Sequence, residues 1–245
     1  MFTAKLEAKT WKKIIHALYG IIDEAAIRVT KEGLKFIAMD PSHISMVDFC
    51  MAKEHFDEYV VTEEISLGLD IDETRKIINR SKPDDILTVK TDENRITFTF
   101  KQRDAETVRR FGLPLIDIIG SDEILKIPTL ETTATIKLPA FVLNDCIKDA
   151  NIFSDNIILR AEENIFLTRA EGDSGKAITE IKEWLEYSVQ EKAQSAFNLS
   201  YLTDIAKSIE DEVTIDLGNK MPLKLTFTLD NAEFMFILAP RVEKE

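Results

Sequence analysis

Between Ala38 and Val47 the chain reads AMDPSHISMV, which places Asp40, Ser42, His43 and Ser45 within six residues. A carboxylate, an imidazole and two hydroxyls are the parts of a nucleophile–base–acid site. Their arrangement argues against one. Ser42 and His43 are adjacent, so in an extended loop their side chains point apart, and no Gly-x-Ser-x-Gly turn surrounds the serine. His16 and His55 are isolated, and no cluster has metal-ligand spacing, so no metal is expected. The carboxylates Asp70, Asp72, Asp84 and Asp85 would suit a metal-dependent DNA-processing enzyme, but they sit where caps and turns place acids. The eight glycines form no phosphate-cradling loop and no dinucleotide fingerprint, and no cofactor is implied.

The elements that would hold such residues read as one plan written twice. ILTVKT and RITFTF flank a polar turn and put Ile96, Phe98 and Phe100 on one face. VTIDL and LKLTFTL repeat the device, with Leu223, Leu225, Phe227 and Leu229 on one face. Lys5-Leu6-x-Ala8 recurs as Lys137-Leu138-x-Ala140, Asp23 as Asp155 and Arg28 as Arg160, all at one offset, which indicates an internal duplication. Each half carries two helical segments. Trp11, Ile14, Ile15, Leu18 and Ile22 form the stripe of the first. Asp70-x-x-Glu73 opens the second as a capping pair, with Ile77 and Ile78 buried. Pro139 marks the start of the third, before Leu143, Ile147 and Ala150, and Ser200 is expected to cap the fourth. Residues 116–133 alternate poorly and read as a long extended connector, between domains at 1–115 and 134–245.

The charge is uneven. The formal net charge is −13, which argues against a protein that grips nucleic acid over its whole surface. Yet Lys9, Lys12, Lys13 and His16 share the outer face of the first helix, and Arg75, Lys76 and Arg80 follow on the second. The second half is more mixed: Lys148 and Lys207 are accompanied by Asp145, Asp149 and Asp204. Cys50 and Cys146 are far apart and read as reduced, buried thiols. No stretch approaches the roughly 18 apolar residues of a membrane span, and the N-terminal run, with Glu7, does not read as a signal peptide.

AMDPSHISMV, KIPTLE in the connector, GNKMPLKL and the terminal LAPRVEKE together resemble the DNA sliding clamps of the proliferating cell nuclear antigen family, of archaeal and eukaryotic type, over the whole chain. The resemblance implies an α+β fold, the DNA clamp fold: two similar domains, each with two helices packed on antiparallel sheets. Three chains would close head to tail into a homotrimeric ring around double-stranded DNA, without sequence readout, and the ring would have no catalytic activity. It implies that Lys12, Lys13, Lys76, Arg80, Lys148 and Lys207 face the duplex, while Tyr19, Asn79 and Ile152 stand where relatives carry basic side chains. The opening stretch becomes a partner-docking loop, with Met39, His43, Ile44 and Met46 at a pocket. Leu125, Ile127 and Pro128 would form one wall, and Pro222, Ala239 and Pro240 another. DNA polymerase, the clamp loader (replication factor C), flap endonuclease and DNA ligase would dock there through a short motif of a Gln, an aliphatic residue and two aromatics. Arg109 and Arg110 of one chain would meet Glu180 and Glu183 of the next. The location implied is cytoplasmic and nucleoid-associated in an archaeon, or nuclear in a eukaryote. Two alternatives stay open: a subunit of a heterotrimeric clamp, and the metal-dependent enzyme.

Overall fold

The computed structural model describes residues 1–92, 94–103, 106–118 and 125–241. The chain divides into two compact units. The first comprises Met1–Pro41, Val47–Leu125 and Leu229–Glu233, and the second comprises Ser42–Met46, Lys126–Thr228 and Phe234–Glu245.

The first unit runs β1 (Phe2–Glu7), α1 (Ala8–Tyr19), β2 (Glu24–Thr30), β3 (Gly33–Met39), β4 (Ser45–Ala52), β5 (Glu58–Val61), β6 (Ile65–Asp70), α2 (Ile71–Ile78), β7 (Asp85–Thr91), β8 (Arg95–Gln102) and β9 (Val108–Pro114). One sheet has the order β5-β1-β7-β8-β9, and a second run is β4-β3-β2-β6. Pairing is antiparallel, for example Leu6 opposite Leu87 and Phe98 opposite Phe111. The alternation read in the sequence is realised: Ile96, Phe98 and Phe100 are buried. So is the α1 stripe of Trp11, Ile14, Ile15 and Leu18. Asp70 caps α2, its carboxylate accepting the Glu73 N–H at 2.8 Å. Ile78 is buried, but Ile77 is only half-buried, because the eight-residue helix has one narrow inward stripe.

The second unit repeats this: β10 (Ala134–Pro139), α3 (Ala140–Asn151), β11 (Asn156–Glu162), β12 (Ile165–Gly172), β13 (Gly175–Ile181), β14 (Glu186–Val189), β15 (Ala193–Asn198), α4 (Leu199–Ala206), β16 (Glu212–Leu217), β17 (Leu223–Leu229) and β18 (Ala232–Leu238). Its sheet orders, β14-β10-β16-β17-β18 and β13-β12-β11-β15, match the first unit strand for strand. The duplicated aspartates do one job twice. The Asp23 carbonyl accepts the Ile71 N–H and the Asp155 carbonyl accepts the Leu199 N–H, both at 2.9 Å, at the starts of α2 and α4. The cap of α4 is Asn198, not Ser200. The Asn198 side chain accepts the Ser200 N–H at 2.8 Å, so the helix begins one residue before the expected cap.

The connector is held at both ends by close backbone approaches. Ile116 donates to the Gly68 carbonyl at 3.0 Å, and a Cβ on Gly68 would lie 1.8 Å from the Ile116 oxygen. Thr133 donates to the Leu217 carbonyl at 3.0 Å, and a Cβ on Gly218 would lie 2.6 Å from the Glu131 oxygen. The part of the expected connector at 119–124 lies outside the described residues. Among the described residues, no helix is long and apolar enough to cross a membrane.

Candidate functional site

The outer face of α1 carries Lys9, Lys12, Lys13 and His16, and no acid lies on the helix. Lys13 is engaged: its Nζ meets Asp230 Oδ1 at 2.8 Å, and Thr10 donates to the same carboxylate at 3.0 Å. Asp230 lies in the tight turn between β17 and β18, where Asp230 and Asn231 both have positive φ. Burial pushes the Asp230 carboxyl up, but Lys13, Thr10 and, from further off, Lys9 hold it below the ordinary carboxylate range. His16 Nε2 lies 2.8 Å from Asn79 Oδ1.

On α2, Lys76 lies 2.8 Å from Asp72 and 2.7 Å from Glu73, and both bonds push its ammonium pKa up. Arg75 meets Asp72 at 2.9 Å and lies 3.9 Å from the centre of the Tyr19 ring, a cation–π contact. Arg80 is exposed at the end of this helix.

The outer faces of the second unit differ. On α3, Phe141, Asp145, Lys148 and Ile152 follow at helical spacing, and Lys148 pairs with Asp145 at 3.0 Å. Phe141 is 66% and Ile152 67% exposed. Beyond α4, Lys207 pairs with Asp204 at 2.7 Å. A polar cleft of about 610 Å³ is lined there by Lys207 and Arg241 on the cationic side and by Asp155 and Asp204 on the acidic side.

The loop at 40–44 lies between β3 and β4. Asp40 is buried, while Ser42 and His43 are exposed and His43 has φ 57. In the second unit, Ala239 donates to the Ile44 carbonyl at 2.8 Å, which joins the loop to the chain after β18. Ile44, Pro222, Ala239 and Pro240 are half-buried, and Ile127 and Pro128 are exposed. Met46 is buried. In the first unit, Met39 is half-buried and Leu125 exposed.

Among the edge strands of the described residues are β9 and β13. β9 ends the first unit's sheet and β13 ends a sheet of the second. Each shows strict alternation: Val108, Arg110 and Gly112 are exposed on β9, as are Lys176, Ile178 and Glu180 on β13. Glu183 is exposed just beyond. Arg109 faces the other way. It is bonded to Asp85, its Nη1 donates to the Arg80 carbonyl at 2.7 Å, and its guanidinium lies 5.3 Å from the Phe100 ring centre. Asp85 is 2% exposed and also accepts the Lys82 N–H at 2.7 Å. Nothing in the sequence signalled this, because Asp85 and Arg109 are 24 residues apart and meet only through the β7-β8-β9 pairing.

The cysteines are both free. Cys146 is buried as expected, but Cys50 is only half-buried, on the outward side of β4, where its thiol donates to Glu233 at 3.4 Å. Among the described residues, no group of three His, Cys, Asp or Glu side chains could hold a metal ion.

The described residues thus form a duplicated α+β chain with a basic face on α1 and edge strands at β9 and β13. Comparison with known proteins makes the class specific. Residues 1–123 match the model of the proliferating cell nuclear antigen N-terminal domain, and residues 126–242 that of its C-terminal domain. A DNA polymerase sliding clamp of Thermococcus fumicolans is 40% identical over 244 residues, 96% of each chain. The crystal structure of proliferating cell nuclear antigen from Thermococcus kodakaraensis superposes with a TM-score of 0.92 at 29% identity, covering 98% of this chain and 100% of that one. The A. fulgidus protein, solved with the C-terminal region of FEN-1 bound, gives 0.91 at 28% identity and covers both chains fully. The chain belongs to the proliferating cell nuclear antigen family, whose members are non-enzymatic sliding clamps of DNA replication.

Proposed function

We propose that this chain is a DNA polymerase sliding clamp and that three copies close head to tail into a ring around duplex DNA. The domains are 1–115 and 134–245, joined by the connector at 116–133. The observation that carries the reading is the family match over both halves of the chain. The helix faces with Lys12, Lys13, Lys76, Arg80, Lys148 and Lys207 line the hole. Weak, scattered cations attract phosphates without a tight grip, so the ring slides. An acidic remainder keeps DNA off the outside.

The edge strands β9 and β13 support ring closure. A heterologous contact between β9 of one chain and β13 of the next satisfies both sets of backbone groups and continues around a three-fold axis. Arg110 meets Glu180 and Glu183 there, and Val108 and Ile178, 36% and 48% exposed, supply apolar contact. Arg109 contributes as a positioning residue, by holding β9 to the loop after α2.

Polymerase, replication factor C, flap endonuclease and ligase dock at the loop around Ile44, against Ile127, Pro128, Pro222, Ala239 and Pro240. Exposed apolar residues on a connector favour this, since such patches mark binding surfaces. Archaeal relatives support a ring that works on the nucleoid, in the cytoplasm.

The test is solution mass by light scattering over a dilution series. Three chain masses support a self-closing ring, and a monomer favours the heterotrimeric alternative. Arg110→Glu is expected to shift the mass to one chain. A peptide carrying a Gln, an aliphatic residue and paired aromatics is expected to bind the trimer. It should bind Ile127→Asp and Ala239→Asp about tenfold more weakly or worse.

A further inference from the structure

We propose that duplex contact in this clamp is carried by the first domain alone, through Lys9, Lys12 and Arg80, and that the helix face of the second domain passes DNA without gripping it. The inference rests on the sliding-clamp reading, which turns these helices toward the duplex.

Of the basic side chains on the four helix faces, most already have a carboxylate: Lys13 has Asp230, Arg75 has Asp72, and Lys76 has Asp72 and Glu73. Lys148 has Asp145, and Lys207 has Asp204. Such surface pairs contribute little to stability, but they set what an approaching phosphate meets. To reach a phosphate, Lys148 must leave Asp145, and the bare carboxylate then faces a polyanion. Few counterions are released, and counterion release is what drives non-specific DNA affinity. Among the described residues, Lys9, Lys12 and Arg80 have no carboxylate within 4.0 Å.

The totals agree with the pairs. α1 holds three Lys and no acid, whereas α3 holds one Lys against Asp145 and Asp149. The cleft beside α4 balances Lys207 and Arg241 against Asp155 and Asp204. Phe141 and Ile152, both exposed on the α3 face, offer a phosphate nothing. Around a ring, gripping and passing domains alternate.

The experiment measures binding of a short fluorescent duplex to the full-length trimer between about 50 and 200 mM KCl, as the slope of log affinity against log salt. Each phosphate contact contributes about −0.9 to that slope. The variant Lys9→Gln with Lys12→Gln and Arg80→Gln is expected to flatten the slope by about 2.7 for each engaged subunit. Asp145→Asn with Asp204→Asn releases the second domain's lysines and is expected to steepen it by up to about 1.8 per engaged subunit. Light scattering on each variant confirms that the ring is intact. An unchanged slope in the triple variant overturns the inference, as does an unchanged slope in the acid-to-amide variant, because Lys148 and Lys207 would then already hold phosphates. If the unaltered protein neither forms a trimer nor binds duplex in a salt-dependent way, the sliding-clamp reading itself fails.

Discussion

Tyr59 and Tyr187 occupy the same place in the two domains. Tyr59 donates to the Thr30 carbonyl at 2.8 Å, and Tyr187 donates to the Ile165 carbonyl at 2.7 Å and to that of Glu162. Asp57 donates to the Lys5 carbonyl and Leu185 to the Lys137 carbonyl, both at 2.8 Å. The interiors of the domains have thus kept their bonds. Their outsides have not. One residue beyond the pairs Glu7–Ile86 and Pro139–Glu212, the first domain has Asp85, buried under Arg109, and the second has Asp211, exposed. Lys12 and Lys13 on α1 correspond to Asn144 and Asp145 on α3. Packing constrains a core position by every neighbour it touches, while a solvated position answers only to what the surface meets. Function in a duplicated protein is therefore to be sought where the copies differ.

The largest expected effect that tests this contrast is Arg109→Glu. It sets a second carboxylate against buried Asp85 and should destabilise the first domain by about 3–5 kcal/mol, read as a lower urea midpoint. Arg110→Glu, one residue on and exposed, should change domain stability by no more than about 0.5 kcal/mol while abolishing the trimer. If the two variants unfold alike, the inward role of Arg109 is wrong.

Tyr59→Phe and Tyr187→Phe probe what the domains share. Each removes a hydroxyl bonded to a backbone carbonyl and should cost about 1 kcal/mol. The losses should add in the double variant, because the two hydroxyls belong to separate compact units and share no partner. Calorimetric or denaturant midpoints that respond to only one of them would show that the latches are not equivalent.

Asp230→Asn should cost about 1 kcal/mol at neutral pH by weakening the bonds from Lys13 and Thr10. The folded carboxyl is depressed below its unfolded value, so its contribution is full above that unfolded value, about 3.9. It fades as pH falls through the lower folded value. The stability gap between the two proteins should close once the pH lies below that folded value. A gap that persists there would mean that the bond is not ionic.

The smallest effect concerns reactivity. Burial, the bond to Glu233, and the charges of Glu233 and Asp48 push the Cys50 thiol up to about 11, against the pull of Lys35. Native Cys50 should therefore react with iodoacetamide at pH 8 roughly a hundredfold more slowly than a free thiol. Alkylation as fast as that of free cysteine would refute this environment.

Much of this architecture was legible in the chain. Alternation exposed the β8 and β17 faces because each strand buries one side only. The Asp70 cap was legible because capping is local, but Asn198 was missed because Ser200 offers the same chemistry two residues later. The basic faces could be read from helical spacing, yet their neutralisation could be read only in part. Asp145–Lys148 and Asp204–Lys207 are three residues apart, whereas Lys13–Asp230 spans 217.

By itself, then, the sequence determined what repeats over short distances: the strand faces, the helix stripes, the duplication and the motifs that mark the family. Periodicity is a property of neighbours in the chain. Tertiary structure alone decided that Arg109 turns inward to Asp85, that Lys13 is held by a turn from the far end of the chain, and that Lys9, Lys12 and Arg80 are left without a carboxylate partner among the described residues. Whether a charge is paired depends on which distant groups the fold brings within about 4 Å, and at that range Coulomb attraction and hydrogen-bond geometry outweigh sequence separation.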